Sequence, residues 1–319
     1  MTPSFTRSVA RATIDALPAP ARRWVRMRRR DVTKRVVELA ELDAVLAAAA
    51  RRFEVSEDDG RAYLLELRMV PPPWPADPFS DAYRAWVFDL YRAVSGRDDY
   101  AVEHESSPFD LEAAVLRPHP FATGSPAVVG DDLSARGAVV RALALTAPAR
   151  IVEFGAGWGN LTSDLAAMGH DVTVVEVDAG FCRLIERRVP CARVVEADML
   201  SFARGSHGDQ FDAAVFYESF HHCADHLDLL EHLHAVVGTG VVVLGAEPVD
   251  LLAYPWGLRL DGLSLWSTRR YGWLELGFDE RYLASAMSRT GWRIQKAEGG
   301  CAVAPTHVAR RARSSNPRS

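Results

Sequence analysis

Apolar residues in the second half of the chain form five short runs that are rich in β-branched residues. The runs extend from Arg150 to Phe154, from Asp171 to Asp178, from Ala192 to Asp198, from Phe211 to Tyr217 and from Gly240 to Ala246. Segments with helical spacing separate most of them; Leu161, Leu165 and Met168, for example, fall on one helix face. Strands that alternate with helices predict an α/β fold, in which helices cover both faces of a doubly wound, mostly parallel sheet.

The residues before these runs have the pattern of a helical region. A proline-rich segment over residues 70–78 separates two helical patterns. Their apolar stripes are Leu39, Leu42, Leu46, Ala49 and Phe53 in the first, and Tyr83, Val87, Leu90 and Val94 in the second. We therefore predict a helical N-terminal or cap region over residues 36–125, followed by the sheet domain over residues 126–306.

The formal net charge of -5 on the 319 residues is unevenly distributed. Residues 1–35 contain ten Arg or Lys and two Asp, a charge of +8, and residues 307–319 contain four Arg and no acid. We predict a basic flexible arm over 1–35 and a basic disordered tail over 307–319. The remaining residues, 36–306, carry -17, which argues against nucleic acid as the main substrate.

Composition narrows the class of protein. The longest apolar run, Val241 to Ala246, is far shorter than the ~20 residues of a membrane helix, so we expect no integral membrane segment. Four cysteines form no CxxC pair. This argues against a disulfide framework or a zinc ribbon and favours a reducing, cytoplasmic location. The oligomeric state cannot be inferred from the sequence.

The sharpest local motif is VEFGAGWGN, residues 152–160, where the first strand turns into a helix. Gly155, Gly157 and Gly159 allow a tight turn and the close approach of a ligand, and parallel sheets bind nucleotide-type ligands at this end. The spacing is G-x-G-x-G, not the G-x-G-x-x-G of dinucleotide-binding proteins. Glu153 adds a carboxylate, which suits a cationic ligand such as S-adenosylmethionine (SAM) better than a pyrophosphate.

In these features, residues 149–303 resemble the class I SAM-dependent methyltransferases, whose fold is a Rossmann-like sheet of about seven strands. The resemblance implies that Glu153 and the three glycines form the turn that binds the cofactor. It also implies contacts between the cofactor and residues at the ends of the next two strands. Asp178 would bind the ribose hydroxyls, with Glu176 as the alternative, Asp198 would bind the adenine amino group, and Met199 would lie on the adenine ring. A merely structural tight turn, and helix-capping roles for both aspartates, are the alternatives.

The fourth strand ends in YESFHHCADH, residues 217–226, near the expected position of the methyl group. We predict that Tyr217 contacts the cofactor and that Glu218, His221 and His222 include the catalytic base, because a hydroxyl acceptor must lose a proton. For the two histidines, a positioning role and a structural role stay open. His226 continues the apolar stripe of the next helix, which predicts a core histidine and no metal site.

A long, aromatic-rich connection over residues 247–278 follows the fifth strand. An insertion here lies over the acceptor side of such a sheet, so we predict that Glu247, Trp256 and Arg259 contact the acceptor. Most of its aromatic residues are expected to pack against the helical N-terminal region instead.

These features predict a cytoplasmic methyltransferase that transfers a methyl group from SAM to a small or glycosylated acceptor, at oxygen, by in-line displacement. The D/N-P-P-Y/F motif of nucleobase amine methylation is replaced here by Tyr217-Glu218-Ser219-Phe220. Three alternatives are a nucleic-acid methyltransferase tethered by the basic arm, a non-catalytic SAM-binding or assembly module, and, more distantly, an NAD(P) oxidoreductase.

Overall fold

The structure is a computed structural model that describes residues 34–206, 211–250, 252–298 and 304–312. Residues 1–33 of the predicted basic arm therefore lie outside the described residues, as do residues 313–319 of the predicted tail. Contacts divide the chain into two compact units. In the described part of the chain, no helix combines the length and the apolarity needed to cross a membrane.

The first unit comprises the described residues up to 71 together with residues 260–263. Its elements are β1 (Arg35–Val36), a 3-10 helix (Leu39–Glu41), α1 (Leu42–Phe53), α2 (Glu57–Leu65) and β2 (Leu67–Arg68). The two short strands pair in parallel. Helix α1 buries Leu42, Leu46 and Ala49, three residues of the predicted apolar stripe.

The second unit comprises residues 72–259 and 264–319, as far as they are described, and it begins with helices. These are α3 (Asp81–Ser95), a 3-10 helix (Val102–Glu105), α4 (Leu111–Leu116), a 3-10 helix (Phe121–Thr123) and α5 (Pro126–Leu143). The side chains of Ser80 and Ser125 cap the first backbone N–H groups of α3 and α5. The boundary between the units falls inside region 36–125, which the sequence predicted to be one helical region.

Among the described residues, seven strands form the central sheet of this unit, in the order β10-β11-β7-β6-β3-β4-β5. They are β3 (Arg150–Phe154), β4 (Asp171–Glu176), β5 (Arg193–Glu196), β6 (Ala213–Tyr217), β7 (Val241–Gly245), β10 (Trp292–Lys296) and β11 (Thr306–Arg311). Strands β3 to β7 are parallel, and β11 runs antiparallel to both of its neighbours. This arrangement confirms the predicted fold class.

Further helices and a small ribbon complete the second unit. The α-helices after β3 are α6 (Asn160–Ala167), α7 (Ala179–Arg188), α8 (Met199–Gly205), α9 (His226–Val237), α10 (Gly262–Tyr271), whose first two residues are counted in the first unit, and α11 (Glu280–Arg289). A 3-10 helix (Phe220–His222) lies in the loop after β6. Strands β8 (Trp256–Leu258) and β9 (Leu276–Phe278), in the predicted insertion 247–278, pair antiparallel. The central strands are buried on both faces; Ile151, Val174, Val215 and Val243 are fully inaccessible.

Strand β11 corrects the prediction of a basic disordered tail over residues 307–319. Residues 307–311 belong to this strand, which lies between β10 and β7 and pairs with both. Val308 and Ala309 are buried, whereas Arg310 and Arg311 are exposed. The prediction was wrong here because backbone pairing on both sides and two buried apolar residues outweigh the local positive charge.

Candidate active site

The glycine turn joins β3 to α6 at the carboxyl end of the parallel strands. Gly155, Gly157 and Gly159 all have left-handed backbone conformations, with φ of +65°, +51° and +67°. A Cβ atom on Gly155 would lie 2.7 Å from the Cβ of Ser219, and one on Gly159 would lie 2.9 Å from Ile185. At Gly157, no atom of the described residues lies within 4 Å of such a Cβ. Packing thus requires two of the glycines, whereas Gly157 borders open space.

Glu176, at the end of β4, is the carboxylate that contacts this turn. Its Oε2 accepts the N–H of Gly157 at 2.9 Å, and its Oε1 accepts the N–H groups of Val177 and Asp178 at 2.8 and 3.1 Å. Glu153, by contrast, accepts the hydroxyl of Thr162 at 2.6 Å, and burial raises its pKa to about 7. Glu153 therefore supports the turn from within the fold, and Glu176 contacts the glycine at the open space.

Asp178 and Asp198 begin the helices that follow β4 and β5. The Oδ1 atom of Asp178 accepts the N–H groups of Gly180 and Phe181 at 2.6 and 3.1 Å. Asp198 caps α8 in the same way, with two bonds to Oδ1 of 3.0 and 2.9 Å, and Met199 is the first residue of that helix. Both aspartates thus have the capping role that the sequence left as the alternative. In each, the capping contacts are to a single carboxylate oxygen.

The loop after β6 carries the predicted catalytic residues and borders the glycine turn through Ser219, whose hydroxyl donates to the carbonyl of Phe154 at 2.6 Å. The hydroxyl of Tyr217 donates to Asp132 of α5 at 2.9 Å. Glu218 has φ of +51°, a conformation that a residue with a side chain rarely adopts, and it is accessible to solvent. The surrounding protein and nearby carboxylates, first that of Glu247, raise the pKa of Glu218 to about 7.

Glu247 holds this loop together. Its Oε1 accepts the N–H groups of Ser219 and Phe220, both at 2.9 Å. Its Oε2 accepts the N–H of His221 at 3.1 Å and lies 2.7 Å from the Nδ1 of the same residue. Burial alone would raise the pKa of Glu247, but His221 and the backbone donors lower it below the usual range. The predicted contact of Glu247 with the acceptor is not supported, since this fully buried carboxylate is occupied by the loop.

Glu247→Ala is expected to lower the free energy of unfolding by about 3 kcal/mol, because three backbone N–H groups and His221 lose their buried acceptor. The lowered pKa means that this contribution is present above the ordinary pKa of glutamate and is lost as the pH falls through the folded-state value. Denaturant unfolding at pH 7 and at pH 4 measures both effects. The control is Glu231→Ala, at an exposed position of α9, which should change stability little. A loss for Glu247→Ala no larger than the control's would contradict the assignment.

Two histidines of the loop each lie beside a carboxylate. Their rings are 4.2 Å apart, and the Nδ1 of His222 lies 2.9 Å from Oε2 of Glu105. The Nε2 of His221 lies 3.8 Å from Oε2 of Glu275, which also lies 3.4 Å from Arg259. Arg259 thus lies among the acidic side chains of this site, and its contact with the acceptor stays a prediction. Sequence reasoning missed Glu105 and Glu275, because neither stands in a motif or at the end of a central strand.

Trp256 and His226 belong to an aromatic core. The indole N–H of Trp256 donates to the carbonyl of Pro78 at 2.8 Å, and its ring packs against Tyr83 of α3. The structure does not support the predicted contact of Trp256 with the acceptor, since this residue is buried, as expected for most aromatics of the insertion. The Nε2 of His226 lies 2.7 Å from the hydroxyl of Tyr282, and burial lowers its pKa to about 3. His226 is the core histidine that the apolar stripe predicted.

Comparisons with known proteins agree with this geometry. A family model described as a methyltransferase domain matches residues 132–297. Ribosomal RNA small subunit methyltransferase A of Synechococcus sp. (strain JA-3-3Ab) is 41% identical over 70 residues. That match covers 20% of this chain and 25% of the relative, so the chain spans about a quarter of the relative's length.

Solved structures of similar fold have low sequence identity to this chain. One is the Burkholderia thailandensis 1,6-didemethyltoxoflavin-N1-methyltransferase, at 21% identity and a TM-score of 0.44, covering 65% of this chain and 93% of its own. Another is an S-adenosylmethionine-dependent methyltransferase from Mesorhizobium loti, at 18% identity and a TM-score of 0.45, covering 57% and 100%.

The family model matches more than half of the 319 residues and includes the glycine turn, the ends of β4 to β7 and the loop after β6. The resemblance inferred from the sequence motifs is thereby confirmed. The chain belongs to the methyltransferase-domain family, the family of the class I SAM-dependent methyltransferases with a Rossmann-like fold.

Proposed function

We propose that this chain transfers the methyl group of SAM to a hydroxyl of a small or glycosylated acceptor by in-line displacement. The observation that carries the proposal is Glu218, an accessible carboxylate with a left-handed backbone on the loop that borders the glycine turn through Ser219. The surrounding protein and then the neighbouring carboxylates raise its pKa to about 7. A hydroxyl acceptor must lose a proton as it is methylated, and a base that titrates near neutral pH is suited to accept it. The strained backbone of Glu218 is consistent with this role, since such conformations cluster at functional sites.

The residues at the glycine turn fit the cofactor. The open space at Gly157 accommodates a ligand at the start of α6, and Glu176 lies beside it as the acceptor for the ribose hydroxyls. We assign the adenine contact to Asp198 and Met199, which lie one strand further along the sheet, at the start of α8. When bound, SAM supplies an electrophilic methyl group on a sulfonium. The protein's task is then to align the acceptor and to remove its proton.

Glu176→Gln is expected to weaken the binding of S-adenosylhomocysteine (SAH) by about 1.5–3 kcal/mol, because charge-assisted hydrogen bonds are lost. Asp178→Ala should instead cost about 1 kcal/mol of stability, as the loss of a helix cap does. Calorimetric titration with SAH and denaturant unfolding separate the two effects. Glu196→Gln is the matched control, because Glu196 is the exposed register partner of Glu176 on β5. If Asp178→Ala weakened SAH binding more than Glu176→Gln, the ribose contact would belong to Asp178.

The experiment that tests the function uses the full chain with methyl-labelled SAM and a panel of phenols, glycosides, amines and ribosomal RNA. SAH binding together with label in the hydroxyl compounds supports the proposal. Label in the amines alone would reject the oxygen assignment. SAH binding without label in any acceptor would favour a non-catalytic SAM-binding module, and NAD binding in place of SAH would reject the cofactor.

A second candidate is methylation of RNA, which the 70-residue similarity to a ribosomal RNA methyltransferase favours. The charge of -17 on residues 36–306 opposes it, because a polyanion would be repelled from the acidic part of the chain. Labelling of the RNA in the panel, with a steep dependence on salt concentration, would make RNA the acceptor.

A further inference from the structure

Two carboxylate–imidazole pairs lie side by side on the loop after β6. In one, the Nδ1 of His221 faces Glu247 at 2.7 Å; in the other, the Nδ1 of His222 faces Glu105 at 2.9 Å. The rings are 4.2 Å apart at an angle of 38°. The ring of His221 is buried and that of His222 is partly buried. Two such adjacent imidazoles that both carried a second proton would repel each other, so one positive charge is favoured in the pair.

Glu105 reaches this loop from the 3-10 helix Val102–Glu105, which precedes the residues matched by the methyltransferase family model. Its Oε1 accepts the N–H of Leu274 at 2.8 Å, while its Oε2 faces His222. From the same segment, the hydroxyl of Tyr100 donates to the backbone carbonyl of His222 at 3.3 Å. Residues that precede the stretch matched by the family model thus contact His222 at its ring, by an ion-pair distance without hydrogen-bond geometry, and at its carbonyl.

The surrounding charges distinguish the two histidines. The charged groups that face His222 are Glu105, Glu275, Glu247 and the ring of His221. Burial alone would lower the pKa of His222, but the carboxylates, with Glu105 first, raise it to about 9. Burial and the neighbouring His222 lower the pKa of His221, although Glu247 opposes this. Glu275 is itself paired with Arg259, which leaves Glu105 as the direct partner of the His222 ring.

We propose that Glu105 is a positioning residue of the active site, which holds His222 as the charged imidazole and thereby leaves His221 neutral on Glu247. With its Nδ1 proton donated to Glu247, a neutral His221 keeps Nε2 as an acceptor for a hydrogen bond or a proton. The segment before the methyltransferase domain therefore completes the site. This inference rests on the proposed function, in which the loop after β6 handles the acceptor proton.

The test is a pH titration of the histidine rings by NMR, on full-length protein labelled with ¹³C-histidine and mixed with SAH. His221→Gln and His222→Gln assign the two ring signals. In the wild type, the His222 signal is expected to titrate near pH 9. Glu105→Gln should lower that midpoint by on the order of one to three pH units and raise that of His221. Glu103→Gln, which removes an exposed carboxylate of the same 3-10 helix, should move neither.

An unchanged His222 midpoint in folded Glu105→Gln, or an equal shift in Glu103→Gln, would overturn the proposal. If Glu105→Gln did not fold, Glu105→Asp would provide the comparison, since it keeps the charge but withdraws it by one methylene. Its His222 midpoint should then lie below that of the wild type, and an unchanged midpoint would again overturn the proposal. If the proposed function were wrong, the wild type would fail to bind SAH or to transfer a methyl group. The NMR titration of the histidine rings would still test the contact between Glu105 and His222.

A kinetic readout follows for any acceptor that the labelling panel identifies. With His222 uncharged in Glu105→Gln, His221 becomes protonated at higher pH, so a limb of the rate profile that belongs to His221, separate from the Glu218 limb near pH 7, should move to higher pH. A purely structural role for Glu105 would lower the rate without moving that limb, and such a result would count against the proposal.

Discussion

Gly157→Val is expected to abolish the binding of SAM and SAH while leaving the protein folded. The backbone of Gly157 has φ of +51°, and its N–H donates to Glu176 at 2.9 Å. A Cβ atom here would meet no described atom within 4 Å outside the two adjacent residues, so we expect the variant to fold. The valine side chain would occupy the space beside the glycine turn that we assign to the cofactor. We expect at least about a 100-fold loss of SAH affinity, equivalent to about 2.8 kcal/mol, measured by calorimetric titration.

Gly124→Val is the matched control. Gly124 ends the 3-10 helix Phe121–Thr123 with φ of +67°, and a Cβ atom there also meets no described atom within 4 Å. Both variants carry the cost of a left-handed residue with a side chain, about 1–2 kcal/mol, so their stabilities should fall by similar amounts. Only Gly157→Val should lose the ligand. Wild-type affinity in Gly157→Val would show that the cofactor does not approach this glycine.

The sheet was predictable because strands buried on both faces appear in the sequence as apolar runs between helical segments. All five runs contain strands of the structure, from β3 to β7. Strand β11 was not predictable in this way, because only its first residues are apolar or buried and two arginines follow directly. Its place depends on pairing with β10 and with β7, which is distant in sequence.

The candidate site was predictable where topology alone brings residues together. The ends of β3, β4, β5 and β6 meet at one edge of a parallel sheet, so the glycine turn, Glu176 and the loop after β6 had to be neighbours. The direction of each side chain was not predictable. Glu247 and Trp256 lie in the expected segment but face the interior. Glu105 joins the site only through tertiary packing, since it is more than a hundred residues from His222 in the chain.

Glu218→Gln is expected to lower kcat for a hydroxyl acceptor by about 10²- to 10⁴-fold, the usual contribution of a general base, with little change in SAH affinity. The amide keeps the shape of the side chain and the same strained backbone but cannot accept the proton. The neighbouring Glu247 and Asp132 carboxylates, which raise the pKa of Glu218, also strengthen it as a base. Rapid-quench measurement of methyl transfer, with SAH affinity measured in parallel, checks the prediction.

The pH dependence of the methyl-transfer rate distinguishes Glu218 from His221 as the catalytic base. With a pKa of about 7, Glu218 is protonated and inactive as a base at lower pH, so the wild-type rate should rise as the pH increases through about 7. Glu218→Gln should lose this limb, whereas Glu231→Gln, at an exposed position of α9, should retain both the limb and the rate. If the rate survived in Glu218→Gln and was lost in His221→Ala, the base would be His221. The raised pKa of Glu218 would then reflect only the crowding of carboxylates around the loop.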